Sequence, residues 1–253
     1  MIRARVSPLE EGTQVLSGKA AHYLGRVLRL RPGDHFVAFC DATRTEAVAE
    51  VKARSVEADD DAFTLTIEVT GLGPAKVVAS LPVTLVQGLA KGDKCDQIVR
   101  DATELGATHI VFADTERTIV KLKEGRAEER QKRWERIAEE ASRQCGRSDP
   151  PRIEGPVPWN EALRSMQGAR FCLWERATSP FREPLLIALS ASEGISFAVG
   201  PEGGLTESEV EQAVKEGCTV VSLGPFVLRT ETVAAAVLGA IRIFGASPGS
   251  EAG

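Results

Sequence analysis

The chain has 253 residues, 43% of them hydrophobic, and a formal net charge of −5. That is enough apolar material for one large domain or two smaller ones, each with a packed core. No apolar run approaches the ~20 residues of a membrane span, and the opening MIRARVSPLEEG lacks the apolar stretch of a signal peptide, so the expected location is cytoplasmic.

The five cysteines, at 40, 95, 145, 172 and 218, form no CxxC pair, and His22, His35 and His109 are scattered. Neither a disulfide framework nor a metal site is expected. Charge is distributed unevenly. Residues 1–31 carry Arg3, Arg5, Lys19, Arg26, Arg29 and Arg31 against Glu10 and Glu11, and residues 117–152 carry eleven Lys or Arg against seven Asp or Glu. Local basic fields of this kind attract phosphate even in an acidic chain.

Residues 1–72 read as a small β-rich module. Runs at 35–40, 45–51 and 63–69 have strand composition, with polar clusters between them. Ser17 is the expected cap of a helix over 18–30, with Tyr23, Val27 and Leu30 on one face and His22, Arg26 and Arg29 on the other. Two accounts of that second face stand side by side: solvated surface arginines, or an RNA-facing stripe. Residues 73–82, with Gly73, Pro74 and Pro82, are the expected linker.

From residue 83 onward the pattern alternates. Strands are expected at 83–86, 109–113 and 171–174, and helices at 93–105, 127–145 and 184–189. Such alternation predicts a mostly parallel sheet covered on both faces. The helix at 127–145 turns Trp134, Ile137, Ala138 and Ala141 inward. Its outer side is dense with Glu and Arg, and Arg143, Gln144 and Arg147, near its end and beyond, are the better contact candidates.

The stretch ISFAVGPEGGLTESEVEQAVKEGCTVVSLGPFVLRTET (195–232) has the layout of a ligand site. A strand at 195–199 enters Gly200-Pro201-Glu202-Gly203-Gly204, and a helix follows. Thr206 and Glu209 have the spacing of a capping box, Val210, Ala213 and Val214 supply the buried face, and Gly217 ends the helix. A second strand, 219–223, leads through Gly224-Pro225 to Arg229-Thr230-Glu231-Thr232 and an apolar helix, 233–244, whose composition predicts burial all round. The two glycine-marked loops are expected to leave the same end of adjacent strands, where open α/β sheets bind ligands. Thr230 is also placed to cap the last helix.

No GxGxxG follows the first strand of the alternating region, no GxxxxGK[ST] is present, and no Ser or Cys sits in a nucleophile elbow. The residues alone therefore lead to a cofactor-binding α/β domain joined to a basic β module.

Five blocks take the reading further: HYLGRVLRLRPGD (22–34), KGDKCDQIVRDATELGA (91–107), RWERIAEEASRQCGR (133–147), GPEGGLTESEVE (200–211) and LGPFVLRTETVAAAVL (223–238). In this order they resemble the RsmE family, the bacterial methyltransferases of the SPOUT superfamily that modify N3 of uracil 1498 in 16S ribosomal RNA. The resemblance spans nearly the whole chain. It implies an N-terminal PUA-like β-barrel over 1–72 that helps hold RNA, and over 83–253 an α/β domain of SPOUT type, a parallel sheet ending in a trefoil knot that binds S-adenosylmethionine. It also implies a homodimer acting, without a metal, on 16S ribosomal RNA, either free or assembled in the 30S subunit. Asp101, Phe226 and Val233 depart from the family's usual lysine, arginine and alanine.

Carried over by position, the cofactor pocket comprises Leu173, Trp174 and Glu175; Val199, Gly200, Pro201, Glu202 and Gly203; and Ser222, Leu223 and Gly224 with Val227, Leu228 and Thr230. His22, Arg26, Arg29, Arg143 and Arg147 are the RNA-contact candidates. Uracil N3 carries a proton that must leave for the nitrogen to attack, so the chemistry calls for a base or an anion-stabilising cation. Arg229 is the candidate for stabilising the uracil anion, and Glu231 or a water for taking the proton. The alternatives are that Arg229 and Glu231 pair with each other or cap the last helix, that the enzyme is a ribose 2′-O methyltransferase of the same superfamily, or that the chain is a non-catalytic RNA-binding assembly factor.

Overall fold

The structure, a computed structural model, describes residues 1–56, 63–118 and 126–245. It divides into two compact units, one made of Met1–Val78 with Ser142–Pro150, the other of Ala79–Ala141 with the chain from Pro151 on.

The first unit is a five-stranded sheet in the order β1-β3-β4-β5-β2. Its strands are β1 (Arg3–Arg5), β2 (Gly12–Leu16), β3 (His35–Cys40), β4 (Thr45–Val56) and β5 (Phe63–Pro74). β1 runs parallel to β3 and the remaining pairs are antiparallel. Along β5, Phe63, Leu65, Ile67 and Val69 alternate into the core. Two register shifts between β4 and β5 add the local twist that curls a sheet. β5 extends to Pro74, into the stretch expected to be linker. β1 and β2 were not expected from the sequence.

The expected helix over 18–30 is instead α1 (Gly18–His22) followed by a wider π-type turn, Tyr23–Val27. Leu28 N–H bonds to the carbonyl of Tyr23, five residues back, so the side chains rotate relative to a 3.6-residue period. Ala21 and Leu24 are buried, and Val27, expected inside, is 58% exposed. Gly25 permits the close packing: a Cβ there would lie 2.2 Å from Phe63 Cζ. Ser17 occupies the N-cap but makes no side-chain capping bond.

Residues 142–150 complete this unit. Arg3 donates to Glu46 at 2.7 Å and to Ser148 Oγ at 2.8 Å, and Ser148 N–H bonds to Val77. The expectation of one contiguous N-terminal module thus meets a unit assembled from two chain segments.

The second unit is a six-stranded sheet in the order β11-β9-β10-β6-β7-β8, parallel throughout. Its strands are β6 (Val83–Gly88), β7 (His109–Asp114), β8 (Arg152–Pro158), β9 (Ala169–Leu173), β10 (Ile195–Val199) and β11 (Thr219–Val221). The helices are α2 (Lys94–Glu104), α3 (Arg126–Cys145), α4 (Trp159–Arg164), α5 (Arg182–Ala191), α6 (Glu207–Lys215) and α7 (Thr230–Gly245). The last residues of α3, from Ser142, count with the first unit.

Both faces of the sheet are covered, as expected. Val83, Leu85, Phe171, Leu173, Ile195, Phe197 and Val199 join one core with residues of α2, α3, α5 and α7. Val86, Cys172 and Ala198 face the other core, with α4 and α6. Such strands read as continuous apolar runs because neither face meets water. β8 and α4 were not expected; β8, which contains Gly155, Pro156 and Pro158, is an edge strand, where proline is tolerated.

Three details differ from expectation. β10 and β11 are not adjacent, because β9 lies between them. Val214 of α6 is 54% exposed, and the buried stripe runs through Val210 and Ala213 only. α7 begins at Thr230 and is not buried all round; Ile243 and Phe244 in its last turn are 73% and 62% exposed. Trp134 of α3 stacks on Phe112 with ring centroids 4.0 Å apart, so the inward face assigned to that helix is the observed one.

Candidate active site

β9, β10 and β11 end on the same side of the sheet, and the loops that follow them enclose a cavity of about 450 Å³. That volume falls within the range of small-molecule sites, and its position beyond the carboxyl ends of parallel strands is the usual one. The lining includes every residue the sequence assigned to the cofactor pocket, from Leu173 to Thr230, together with Arg229. Lys94, Gly204, Leu205, Phe226 and Val233 also line it.

The loop after β10, Gly200–Gly204, is taken as the first, that after β9 (Trp174 and Glu175) as the second and that after β11 (Leu223–Arg229) as the third; the first is held from several sides. Gly200 and Gly204 pack against each other: a Cβ on Gly200 would lie 3.0 Å from the Gly204 carbonyl carbon and from Leu205 Cγ. The glycines here serve loop packing as much as ligand access. Gly204 has φ +70°, a conformation a side chain would strain, and its neighbour is Glu175 of the second loop. Gly88, at the end of β6, lets Pro201 sit directly on it; a Cβ there would meet Pro201 Cδ at 2.6 Å. Arg117 donates to the Gly203 carbonyl at 2.8 Å.

The helix after this loop begins with the capping box read from the sequence. Glu209 N–H donates to Thr206 Oγ1 at 3.3 Å and Thr206 N–H to Glu209 Oε2 at 2.8 Å. The other carboxylate oxygen of Glu209, a buried residue, accepts Glu116 N–H at 2.8 Å, which ties α6 to the turn after β7.

Thr230 is fully engaged by the protein. Its hydroxyl donates to the Gly200 carbonyl and accepts from Gln87 Nε2, both at 2.7 Å. Gln87, completely buried, also donates to the Gly88 carbonyl at 2.9 Å. This clip joins β6, the first loop and the start of α7. Thr230 therefore touches the cavity wall while its hydroxyl serves the framework.

Arg229 is exposed and Glu231 half-buried, and among the described residues no ion pair joins them. Glu231 has a different partner: Lys94 Nζ stands 3.4 Å from its Oε2 and 3.2 Å from Glu202 Oε1. Glu202 also accepts Lys91 N–H at 3.0 Å. Burial works to raise the Glu202 carboxyl, but the hydrogen bonds from Lys91 and Lys94 outweigh it and hold it below its usual range. Lys94 and Gln87 had no local signal; each meets partners more than a hundred residues away.

The third loop is thinly held. From Leu223 to Arg229 it is exposed, with Phe226 and Val227 at 81% and 83%, and Ser222 Oγ bonding the Gly224 backbone is its main internal tie. Trp174 Nε1, at the second loop, is buried and has no hydrogen-bond partner among the described residues, which leaves a donor for a ligand. Backbone groups of glycine-bearing loops, an apolar wall and an orphaned indole donor suit an adenosyl group.

None of the five cysteines lines the cavity. Burial pushes Cys172 up to about 12 and Cys95 and Cys218 up to about 11, and no cluster of metal-binding side chains occurs among the described residues. No helix among them is long and apolar enough to cross a membrane.

The RNA-contact candidates all lie in the first unit. His22 and Arg29 are exposed, Arg26 stacks on Phe63 at 5.5 Å, and Arg143 lies over Tyr23 at 4.7 Å. Arg147 differs: it is 4% exposed and bonded to Asp149 at 3.0 Å. An arginine so enclosed acts within the protein rather than on a phosphate outside it.

Residues 78–242 match the model of an RNA methyltransferase domain, and residues 16–55 that of an RNA methyltransferase PUA domain. The chain is 32% identical over 238 residues to ribosomal RNA small subunit methyltransferase E of Bacillus subtilis, covering 92% of this chain and 90% of that protein. The corresponding enzyme of Synechocystis is 32% identical over 240 residues, covering 91% and 73%. Among solved structures, ribosomal RNA small subunit methyltransferase E of Neisseria gonorrhoeae bound to S-adenosyl methionine superposes with a TM-score of 0.81 at 29% identity, over 96% of this chain and 97% of that one. A Legionella pneumophila methyltransferase with bound cofactor gives 0.83 at 25% identity, over 96% and 97%. The fold is thus a SPOUT-type parallel sheet with an N-terminal PUA-like unit, and the chain belongs to the ribosomal RNA small subunit methyltransferase E family of RNA methyltransferases.

Proposed function

We propose that the protein transfers a methyl group from S-adenosylmethionine to N3 of a uracil, that of position 1498, in 16S ribosomal RNA of the 30S subunit. The observation that carries this reading is the cavity bounded by three strand-end loops, with Arg229 on its wall and Glu231 beside it. Leu173, Trp174, Val199, Leu223 and Leu228 would hold the adenosyl group, and the backbone of Gly200–Gly203 and Ser222–Gly224 its polar edges. When bound, the cofactor supplies an electrophilic methyl carbon on a positively charged sulfur.

The protein's task is then to present the uracil and remove its N3 proton. Arg229 is placed to stabilise charge developing on the uracil oxygens, and Glu231 to accept the proton. The first unit would bind RNA through His22, Arg26 and Arg29 of its N-terminal segment and Arg143 of its second segment. The path from β10 through α6 to β11 and back to α7 supports the knotted topology, and the exposed apolar third loop supports a homodimer. A cytoplasmic location follows from the substrate.

The test is methylation of 30S subunits from a strain lacking this modification, followed by nucleoside analysis. The expected product is 3-methyluridine. A 2′-O-methyl nucleoside would move the protein to the ribose-methylating class, and no product with measurable cofactor binding absent would make it an RNA-binding factor.

A further inference from the structure

Lys94 belongs to none of the three loops. It comes from the first turn of α2, yet it lines the cavity and lies between two carboxylates brought in by other elements, Glu202 from the loop after β10 and Glu231 from α7. Glu202 is the anchor: the Lys91 N–H and the Lys94 ammonium both bond to its Oε1. Glu231 is the free end. Its side chain is 11% exposed, and among the described residues Oε2 has only the long 3.4 Å approach of Lys94 as a partner. On α2 itself the neighbouring Asp96 is taken by Arg133 of α3 at 2.9 Å, so it does not compete for Lys94.

We propose that Lys94 is a positioning residue for proton removal, an ammonium tethered by Glu202 that fixes the Glu231 carboxylate where the uracil N3–H arrives. The proposal rests on Glu231 being the proton acceptor. In that step the N3–H bond breaks, its electron pair stays on nitrogen, and the proton forms an O–H bond on Glu231. The hydrogen bond to Glu202, opposed by desolvation and reinforced by the charges of Glu202 and Glu231, raises the Lys94 pKa, so Lys94 acts as a cation and not as the base. A carboxylate with one oxygen oriented by a fixed cation and spare acceptor capacity is arranged for proton capture.

The experiment measures single-turnover methylation of 30S subunits and, separately, cofactor Kd by calorimetry for Lys94→Met, Lys94→Arg, Glu231→Gln and the Lys94→Met/Glu231→Gln double variant. The expected result is a turnover loss of about tenfold or more in Lys94→Met with Kd nearly unchanged, recovery in Lys94→Arg, and no further loss when Lys94→Met is added to Glu231→Gln. Additive losses, or a weakened Kd with turnover retained, would mean that Lys94 merely braces the loop, and the proposal fails. Full turnover in Glu231→Gln would instead sink the assignment of the base, a separate failure from that of Lys94.

Discussion

The first and third loops of the cavity are built in opposite ways. Gly200–Gly204 is packed upon itself and braced by Gln87, Thr230, Arg117, Lys91 and Lys94. Leu223–Arg229 stands in solvent with bulky apolar side chains uncovered. The contrast separates two tasks. A wall that grips a small ligand gains from being fixed beforehand, since less order must be imposed on binding. An uncovered wall keeps apolar surface available for further contacts.

Variants can break this comparison, beginning with the largest effect. Arg229→Ala and Glu231→Gln should each lower turnover about 100-fold or more while cofactor binding persists, measured by single-turnover methylation beside calorimetry. Equal loss of cofactor affinity would make them part of the gripping wall. Gly88→Ala forces a Cβ against Pro201, an overpacking worth about 2–3 kcal/mol, and should weaken cofactor binding by tenfold or more and lower Tm. Thr230→Val opens the clip and leaves the Gln87 amide and the Gly200 carbonyl short of a partner, costing about 1–2 kcal/mol, read as a fall in Tm of several degrees.

Acid should act weakly, and on the first loop. Because the Glu202 carboxyl is held below its ordinary value of 4.5, its contribution is present above that value and fades as pH falls through the lower folded one. Wild type should therefore lose slightly more stability than Glu202→Gln between neutral pH and about pH 3, seen in thermal melts. Phe226→Ser should move stability least, within about 0.5 kcal/mol, because the ring touches little of its own chain. A large drop in Tm there would show the third loop to be as well supported as the first.

Much of this site was legible because its information is local. The capping box at Thr206 and Glu209, the glycine loop at 200–204 and the strand that feeds it all lie within a few residues of one another. The bracing was not legible, since Gln87, Lys94 and Arg117 are recognised only by partners that folding brings from far along the chain. Helix faces failed where the period changed: a π-type turn carried Val27 outward, and a narrow buried stripe left Val214 in water. β8 was hidden by prolines that only an edge strand accepts. The placing of β9 between β10 and β11 could not be read at all, because strand order is a long-range property; yet that strand supplies the second wall of the cavity.

The Ser148 hydroxyl that meets Arg3 and Glu46 carries a lesson for dissecting the molecule. A fragment ending at Val78 would lack that hydroxyl and the whole 142–150 segment, leaving the Arg3–Glu46 pair without one of its companions. Splitting this protein at a single peptide bond therefore yields an amputated piece rather than a module. A peptide spanning 142–150, added in trans, is the natural reagent for restoring it.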